Sequence, residues 1–225
     1  MKVAIVLLTA KTHEDRARYA KATLSSLTKL HTTHELQLFI GDDGSGKEYQ
    51  DELISVASSI GFNYITITDS NKHGYGANYN RAMAEAQREC ELILPLEDDW
   101  ELTHEFDLDP IVNVLRDGVF DSVRMGYVGY TQELRAKFVW CNNLHWLELD
   151  PDSHEPHVFS GHPRLETVAY QKRVGPWPED LTPGETEWFV ATQLKEARKR
   201  VAIPIGLHGD LRDGIFAHIG TVKSY

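Results

Sequence analysis

Four short apolar runs, Val3–Thr9, Leu36–Ile40, Phe62–Thr68 and Leu92–Leu96, alternate with three segments of helical spacing, and this rhythm constrains the fold most. Glu14–Leu30 carries Ala17, Ala20, Leu24 and Leu27 on one face. Tyr49–Ile60 reads as a helix closed by Gly61 at its C-terminal cap, and Ala77–Cys90 is rich in alanine. Alternating strands and helices imply an α/β fold with a parallel sheet covered on both faces, because parallel neighbours need a crossover between them. Such sheets bind ligands beyond the carboxyl ends of their strands. The polar loops Thr9–Thr12, Asp42–Gly46 and Glu97–Asp99 fall at those ends and are expected to converge on one crevice.

The fourth run stops abruptly at the consecutive carboxylates Glu97, Asp98 and Asp99. Adjacent anions repel unless something positive sits among them, and oxygen ligands suit a hard divalent cation such as Mg²⁺ or Mn²⁺. An Asp-Asp pair is more usually a solvated turn. Its place directly behind a buried strand favours the functional reading. The 225 residues fit one large α/β domain or two small ones, and no linker-like segment or internal repeat divides them. The expectation is therefore one domain over 1–225, with a nucleotide-facing half at 1–105 and a more variable half at 106–225. A net charge of −11 and a pI near 5.4 argue against broad binding to nucleic acid or anionic membranes. Two cysteines, Cys90 and Cys141, provide neither a disulfide framework nor a metal knuckle. Val3–Leu8 is too short for a signal sequence, lacks a small-residue cleavage pattern, and reads as a core strand; no stretch reaches membrane-spanning length. A cytoplasmic location is expected.

Beyond residue 105 the pattern changes. Ser122–Thr131 and Phe138–Leu149 read as strands of a more mixed sheet, followed by a loop around Pro151–Pro156. Thr182-Pro183-Gly184-Glu185 has the form of a capping box, with a helix expected to run to about Arg200. Trp140, Trp146, Trp177 and Trp188 fall in this half; each is either core or a stacking face for a sugar ring. His154, Glu155, His157 and His162 could hold a transition metal, but Pro156 and the absence of a regular helix favour a solvated or acceptor-contacting loop.

Taken together, Val3–Thr9, Phe39-Ile40-Gly41-Asp42-Asp43-Gly44-Ser45, Gly74-Tyr75-Gly76-Ala77-Asn78-Tyr79-Asn80 and Glu97-Asp98-Asp99 resemble, in the same order, the family-2-like glycosyltransferases of the GT-A fold. The second half matches more loosely, through Gly184-Glu185-Thr186-Glu187-Trp188 and His218 to Ser224. The resemblance implies a Rossmann-like nucleotide-binding half, a mixed-sheet acceptor half, and transfer of a sugar from a nucleotide-diphosphate donor, a UDP-sugar foremost, with Mn²⁺ or Mg²⁺ as cofactor. It implies that Thr9, Ala10, Asp42, Asp43, Gly74 and Asn80 line the donor site, with Asp43 accepting a hydrogen bond from the base. Asp98 would face the ribose or metal, Asp99 and His218 would bind the cation, and Lys223 would approach the diphosphate. The chain departs from the family at Leu8, Ala10 and Lys11, where Pro, Tyr and Asn are usual, at Tyr79, and at Thr186, where the acidic motif is broken.

Expelling a diphosphate builds negative charge on the leaving oxygen, which a divalent cation stabilises. A mixed histidine and carboxylate shell suits Mn²⁺. An inverting transfer also needs a base for the acceptor hydroxyl. Glu185 and Glu187 are the candidates, and since Glu185 has a structural task in the capping box, Glu187 is preferred. The acceptor is expected to be a hydroxyl-bearing glycan or small molecule, with modified DNA as a further candidate. Lys172, Arg173 and the Lys195–Arg200 cluster are the only basic features that would serve the last. Two competing readings are a nucleotidyltransferase, whose Gly-rich run after the first strand is missing here, and a non-catalytic nucleotide or glycan binder on the same scaffold.

Overall fold

The computed structural model describes residues 1–126, 135–153, 161–205 and 214–221. The first half runs β1 (Lys2–Thr9), α1 (Glu14–Ser26), β2 (Leu30–His31), β3 (Glu35–Asp42), α2 (Lys47–Ser59), β4 (Ile65–Asp69), α3 (Tyr75–Glu89) and β5 (Leu92–Glu97). The second continues with β6 (Trp100–Leu102), β7 (Phe106–Asp107), α4 (Asp109–Arg116), β8 (Ser122–Arg124), β9 (Ala136–Cys141), β10 (Leu144–Leu149) and β11 (Arg164–Thr167). It closes with α5 (Val168–Val174), α6 (Pro183–Ala197), β12 (Val201–Ile205) and β13 (Phe216–His218).

Among the described residues nine strands form one sheet in the order β4-β3-β1-β5-β11-β8-β12-β10-β9. The first four are parallel, as the alternating pattern predicts, and β11 then runs antiparallel to β5 and opens the mixed part. Successive crossovers carry β1 to β3 to β4 in one direction, whereas β5 pairs on the opposite side of β1. That reversal leaves a crevice at the carboxyl ends of β1 and β5, where sheets of this kind bind ligands. The register sets Leu8 opposite Glu97, so Thr9 and Asp98 emerge side by side.

Strand β1 is apolar from Val3 to Leu8 because both its faces are covered. Val3, Ile5 and Leu7 pack with Ala20 and Leu24 of α1 and Leu53 of α2, whereas Ala4, Val6 and Leu8 meet Tyr79, Ala82 and Met83 of α3. The period of two in a strand sorts these residues between the layers. Small residues let α3 lie close to the sheet. A Cβ on Gly41 would stand 3.0 Å from that of Ala82. Beneath α3 the buried Asn78 donates to the carbonyls of Gly41 (3.0 Å) and Thr9 (3.3 Å), tying β3 to β1 just before the crevice.

The second half departs from the sequence expectation at one hairpin and adds a strand that the apolar pattern does not mark. Phe138–Leu149 is a hairpin, not one strand, because Asn142 and Asn143 both take the left-handed conformation (φ 49° and 59°) that a two-residue turn demands. Only Ser122–Arg124 of the run expected to reach Thr131 is a described strand, and 127–134 lie outside the described residues. Strand β11 carries no apolar alternation. Its Arg164 and Glu166 are both fully buried and neutralise one another, and the Gln171 amide also donates to Glu166. Such a pair costs desolvation, which hydrogen bonding offsets.

Helix α6 starts where the pattern places it. Thr182 and Glu185 form the reciprocal capping box, and the helix ends at Ala197 with Arg198 left-handed (φ 51°). The segment before it crosses the start of α3 at Gly76, where a Cβ would fall 2.1 Å from the Pro178 carbonyl oxygen. Among the described residues no helix is long and apolar enough to cross a membrane. Gly76→Ala should therefore lower stability by about 1–3 kcal/mol through overpacking. Gly184→Ala, where an added Cβ meets nothing within 4 Å, should leave the urea midpoint in place.

Candidate active site

The crevice at the β1–β5 reversal opens into a cleft of about 810 Å³. Thr9 and Ala10 follow β1, Asp98 and Asp99 follow β5, and Gly74 and Tyr75 start α3; the far wall is the stretch from Glu179 to Gly184 with His218 to Thr221. The segment after β13 reaches the site because His218 pairs with Trp100 across β6 and the Ile219 amide donates to the Asp99 carbonyl (2.8 Å). The next residue must be glycine, since a Cβ on Gly220 would sit 2.3 Å from Asp99 Oδ2.

The two aspartates are buried beside a cation that is not among the sequence candidates. Arg16 of α1 is 2% exposed and bridges the pair, its Nη1 2.7 Å from Asp99 Oδ2 and its Nη2 on Asp98 Oδ1. Asp98 Oδ2 accepts from Thr9 Oγ1 (2.7 Å), which also meets the Tyr49 hydroxyl (2.6 Å), and Thr23 donates to the Asp98 carbonyl (2.9 Å). Both Asp98 oxygens thus have protein partners. His218 Nε2 lies 3.3 Å from Asp99 Oδ2, while Asp99 Oδ1 is buried with no hydrogen-bond partner. Burial alone would push the Asp99 carboxyl up; the His218 hydrogen bond and the Arg16 charge outweigh it and hold it below the usual value. The same hydrogen bond raises His218.

An orphaned carboxylate oxygen beside an imidazole fits a divalent cation. Among the described residues no three His, Cys, Asp or Glu side chains gather into a cage for one. An ion here would need further oxygens from a diphosphate and water, which is how Mg²⁺ is usually held at phosphate sites.

A second carboxylate group lies beside the first. The Tyr75 hydroxyl donates to Glu97 Oε1 (2.6 Å), and Glu187 accepts the Gly161 amide proton. A Cβ on Gly161 would stand 2.8 Å from Glu97 and 3.2 Å from Glu187, so the two carboxylates flank one point of backbone. Burial, reinforced by the Asp99 charge, pushes Glu97 up to about 7. Glu185 faces the other way, exposed and bonded to Thr182.

The remaining sequence candidates take other positions. Asp42 is fully buried and spends its carboxylate on the Ser45 amide (3.0 Å), the Ser45 hydroxyl and Gln50 (2.9 Å); it shapes its own loop and is not open to a nucleotide. Asp43 accepts from Ser70 and from the Gly74 amide (3.1 Å), coupling that loop to the start of α3. Asn80 exchanges two hydrogen bonds with the Trp177 backbone (2.8 and 2.9 Å), away from the cleft lining. Lys223 and the group His154, Glu155 and His157 lie outside the described residues. Trp100, Trp146 and Trp177 are core, Trp177 stacked on Tyr79, whereas Trp140 and Trp188 are exposed.

The sequence profile of glycosyl transferase family 2 matches residues 11–162, more than half of the 225, and the chain belongs to that family. No curated protein matches it significantly. Its fold is that of GT-A glycosyltransferases. It is similar to TarS of S. aureus at 17% identity and TM-score 0.68, over 98% of this chain and 37% of TarS. It is also similar to the mannosyltransferase PcManGT of Pyrobaculum calidifontis, solved with GDP-Man and Mn²⁺, at 15% identity and TM-score 0.58, over 91% of this chain and 55% of that one. GalNAc-T7, solved with UDP, GalNAc and Mn²⁺, matches at 10% identity and TM-score 0.67, over 100% of this chain and 45% of its own. The chain therefore spans well under two thirds of each.

His162 packs against the Trp100 ring, at 4.9 Å between centroids, and sits 3.2 Å from Arg124 Nη2. Burial, with the Arg124 charge, pushes its imidazole down to about 3. The folded state holds it neutral while the unfolded chain protonates it near the ordinary value of about 6.5. Its contribution to stability is complete above that pH and is lost as pH falls toward 3. His162→Gln should flatten this part of the curve of melting temperature against pH, measured side by side with the parent chain.

Proposed function

We propose that this chain transfers a sugar from a nucleotide-diphosphate donor, a UDP-sugar foremost, to a hydroxyl acceptor, with Mn²⁺ or Mg²⁺ at Asp99 and His218. One observation carries the reading: Asp99, with a buried oxygen lacking any partner, stands beside His218 at the β1–β5 reversal of a family 2 glycosyltransferase. UDP in the TarS and GalNAc-T7 structures and Mn²⁺ in those of PcManGT and GalNAc-T7 support the choice of donor and ion. When bound, the cation would neutralise the charge that grows on the departing diphosphate.

The chain's own residues do the rest. Thr9 and Ala10 floor the end where the nucleoside would lie, and Asp43 fixes the Gly74 amide so that α3 directs its N-terminus into the cleft. A helix N-terminus attracts anions, so this end favours the diphosphate. Asp98 orients the site through Thr9 and Arg16. Lys223 would add a positive charge near the diphosphate. Glu187 is the proposed base: it is the acid of α6 that turns toward Tyr75, Glu97 and Gly161. The acceptor is a hydroxyl-bearing glycan or small molecule. Modified DNA fits less well, since Arg198, Lys199 and Arg200 are each paired with a carboxylate.

Asp99→Asn should remove Mn²⁺-dependent hydrolysis or transfer of UDP-sugars while circular dichroism stays unchanged. Turnover that survives a chelator would reject the metal role. Glu187→Gln should lower kcat by about 10²–10⁴-fold with donor affinity kept, the span expected for loss of general acid–base assistance. Glu185→Gln should spare the chemical step and leave the melting temperature nearly in place, since glutamine also serves at this position of a capping box.

A further inference from the structure

We infer that Arg16 is a built-in counter-cation for the Asp98–Asp99 pair, which makes uptake of the divalent ion depend on the nucleoside diphosphate. The inference rests on the metal-dependent reading above and adds an order to it.

The geometry is that of a bridge and not of a surface ion pair. One guanidinium meets both carboxylates, one through each terminal nitrogen, and all three side chains are at least nine-tenths buried. Arg16 lies on the buried face of α1, with Ala17, Ala20, Thr23 and Leu24, so it enters the site from the layer below. Two buried carboxylates without a cation would be costly, and breaking such an arrangement by removing one partner is strongly destabilising. With Arg16 in place, one negative charge remains on the pair, too little to draw a divalent ion out of water by itself.

The ligand supply points the same way. Asp98 has both oxygens engaged by Thr9 and Arg16, and Asp99 has one engaged by Arg16 and His218. Asp99 Oδ1 and the imidazole are what the chain offers among the described residues. A divalent ion keeps its water unless several oxygens replace it. Phosphate oxygens supply those ligands, and their negative charge balances the positive charge that Arg16 and the ion bring together. The ion and the diphosphate therefore bind cooperatively, each raising the affinity of the other by the same factor. Arg16 suppresses the state in which the ion occupies the cleft alone.

The test is Mn²⁺ binding followed by electron paramagnetic resonance and thermal shift at pH 8, with no sugar donor present. In the parent chain Mn²⁺ alone at about 1 mM should barely move the melting temperature, and Mn²⁺ with UDP should raise it clearly. Arg16→Met should bind Mn²⁺ alone at least about tenfold more tightly, because a positive charge adjacent to the ion has been removed. The added effect of UDP on Mn²⁺ affinity should shrink in step. Arg16→Lys, which keeps the charge but can grip only one carboxylate well, should fall between the two. An Arg16→Met protein that folds only when Mn²⁺ is present also supports the inference. Unchanged or weaker Mn²⁺ affinity in Arg16→Met, or a variant that Mn²⁺ cannot restore, overturns it, as does tight binding of Mn²⁺ alone by the parent chain. If the parent chain binds no Mn²⁺ even with UDP, the metal-dependent reading itself falls.

Discussion

A guanidinium held between two buried carboxylates is the interaction on which the rest of the site depends. Asp98 and Asp99 follow β5 at the floor of the cleft, almost wholly buried, where little solvent screens their repulsion. Arg16 makes that position tolerable, and its fixed geometry transmits order outward. Through Asp98 it sets Thr9 and Tyr49, and through Asp99 it sets His218. The helix that carries Arg16 also bonds the Asp98 carbonyl through Thr23 and the Leu102 amide through Ser26. The site is thus a product of α1 packing as much as of the acidic loop.

Much of the first half was legible because its strands and helices differ in period. Apolar runs covered on both faces stand out, and the loops at their carboxyl ends carry the polar residues that line the cleft. Arg16 was not legible for an equally physical reason. In Glu14-Asp15-Arg16-Ala17-Arg18 it looks like one more charge on a helix surface, and Arg18, two residues on, is indeed exposed. The available clue was its position seven residues before Thr23, on the same stripe as Ala20. Asp42, which the resemblance places at the donor site, has both carboxylate oxygens bonded within its own turn and to Gln50, a use that no motif announces.

The second half was harder to read because its sheet does not follow the apolar pattern. A strand of Arg164, Leu165, Glu166 and Thr167 has no periodic signal, although it lies at the centre of the molecule. Charges that cancel in space are invisible in sequence until the partner is known. The hairpin turn at Asn142-Asn143 was readable in principle, since paired asparagines accept left-handed backbone. The capping box of α6 was readable outright, and it gives Glu185 a structural task that Glu187 lacks. The exposed Trp140 and the buried Trp146, on adjacent strands of one hairpin, show why aromatic content alone does not define an acceptor surface.

The bond between Tyr19 and Thr221 joins positions 202 apart in the chain. Contacts of such separation form late, after the entropy of closing a long loop has been overcome. On the ribosome, α1 and β5 are complete long before His218 is made, so the acidic pair must endure a period without its imidazole. Arg16 is already present in that interval. The same side chain that governs the finished cleft thereby protects the half-made sheet, letting the central strands consolidate while the cleft wall at His218 is still to come.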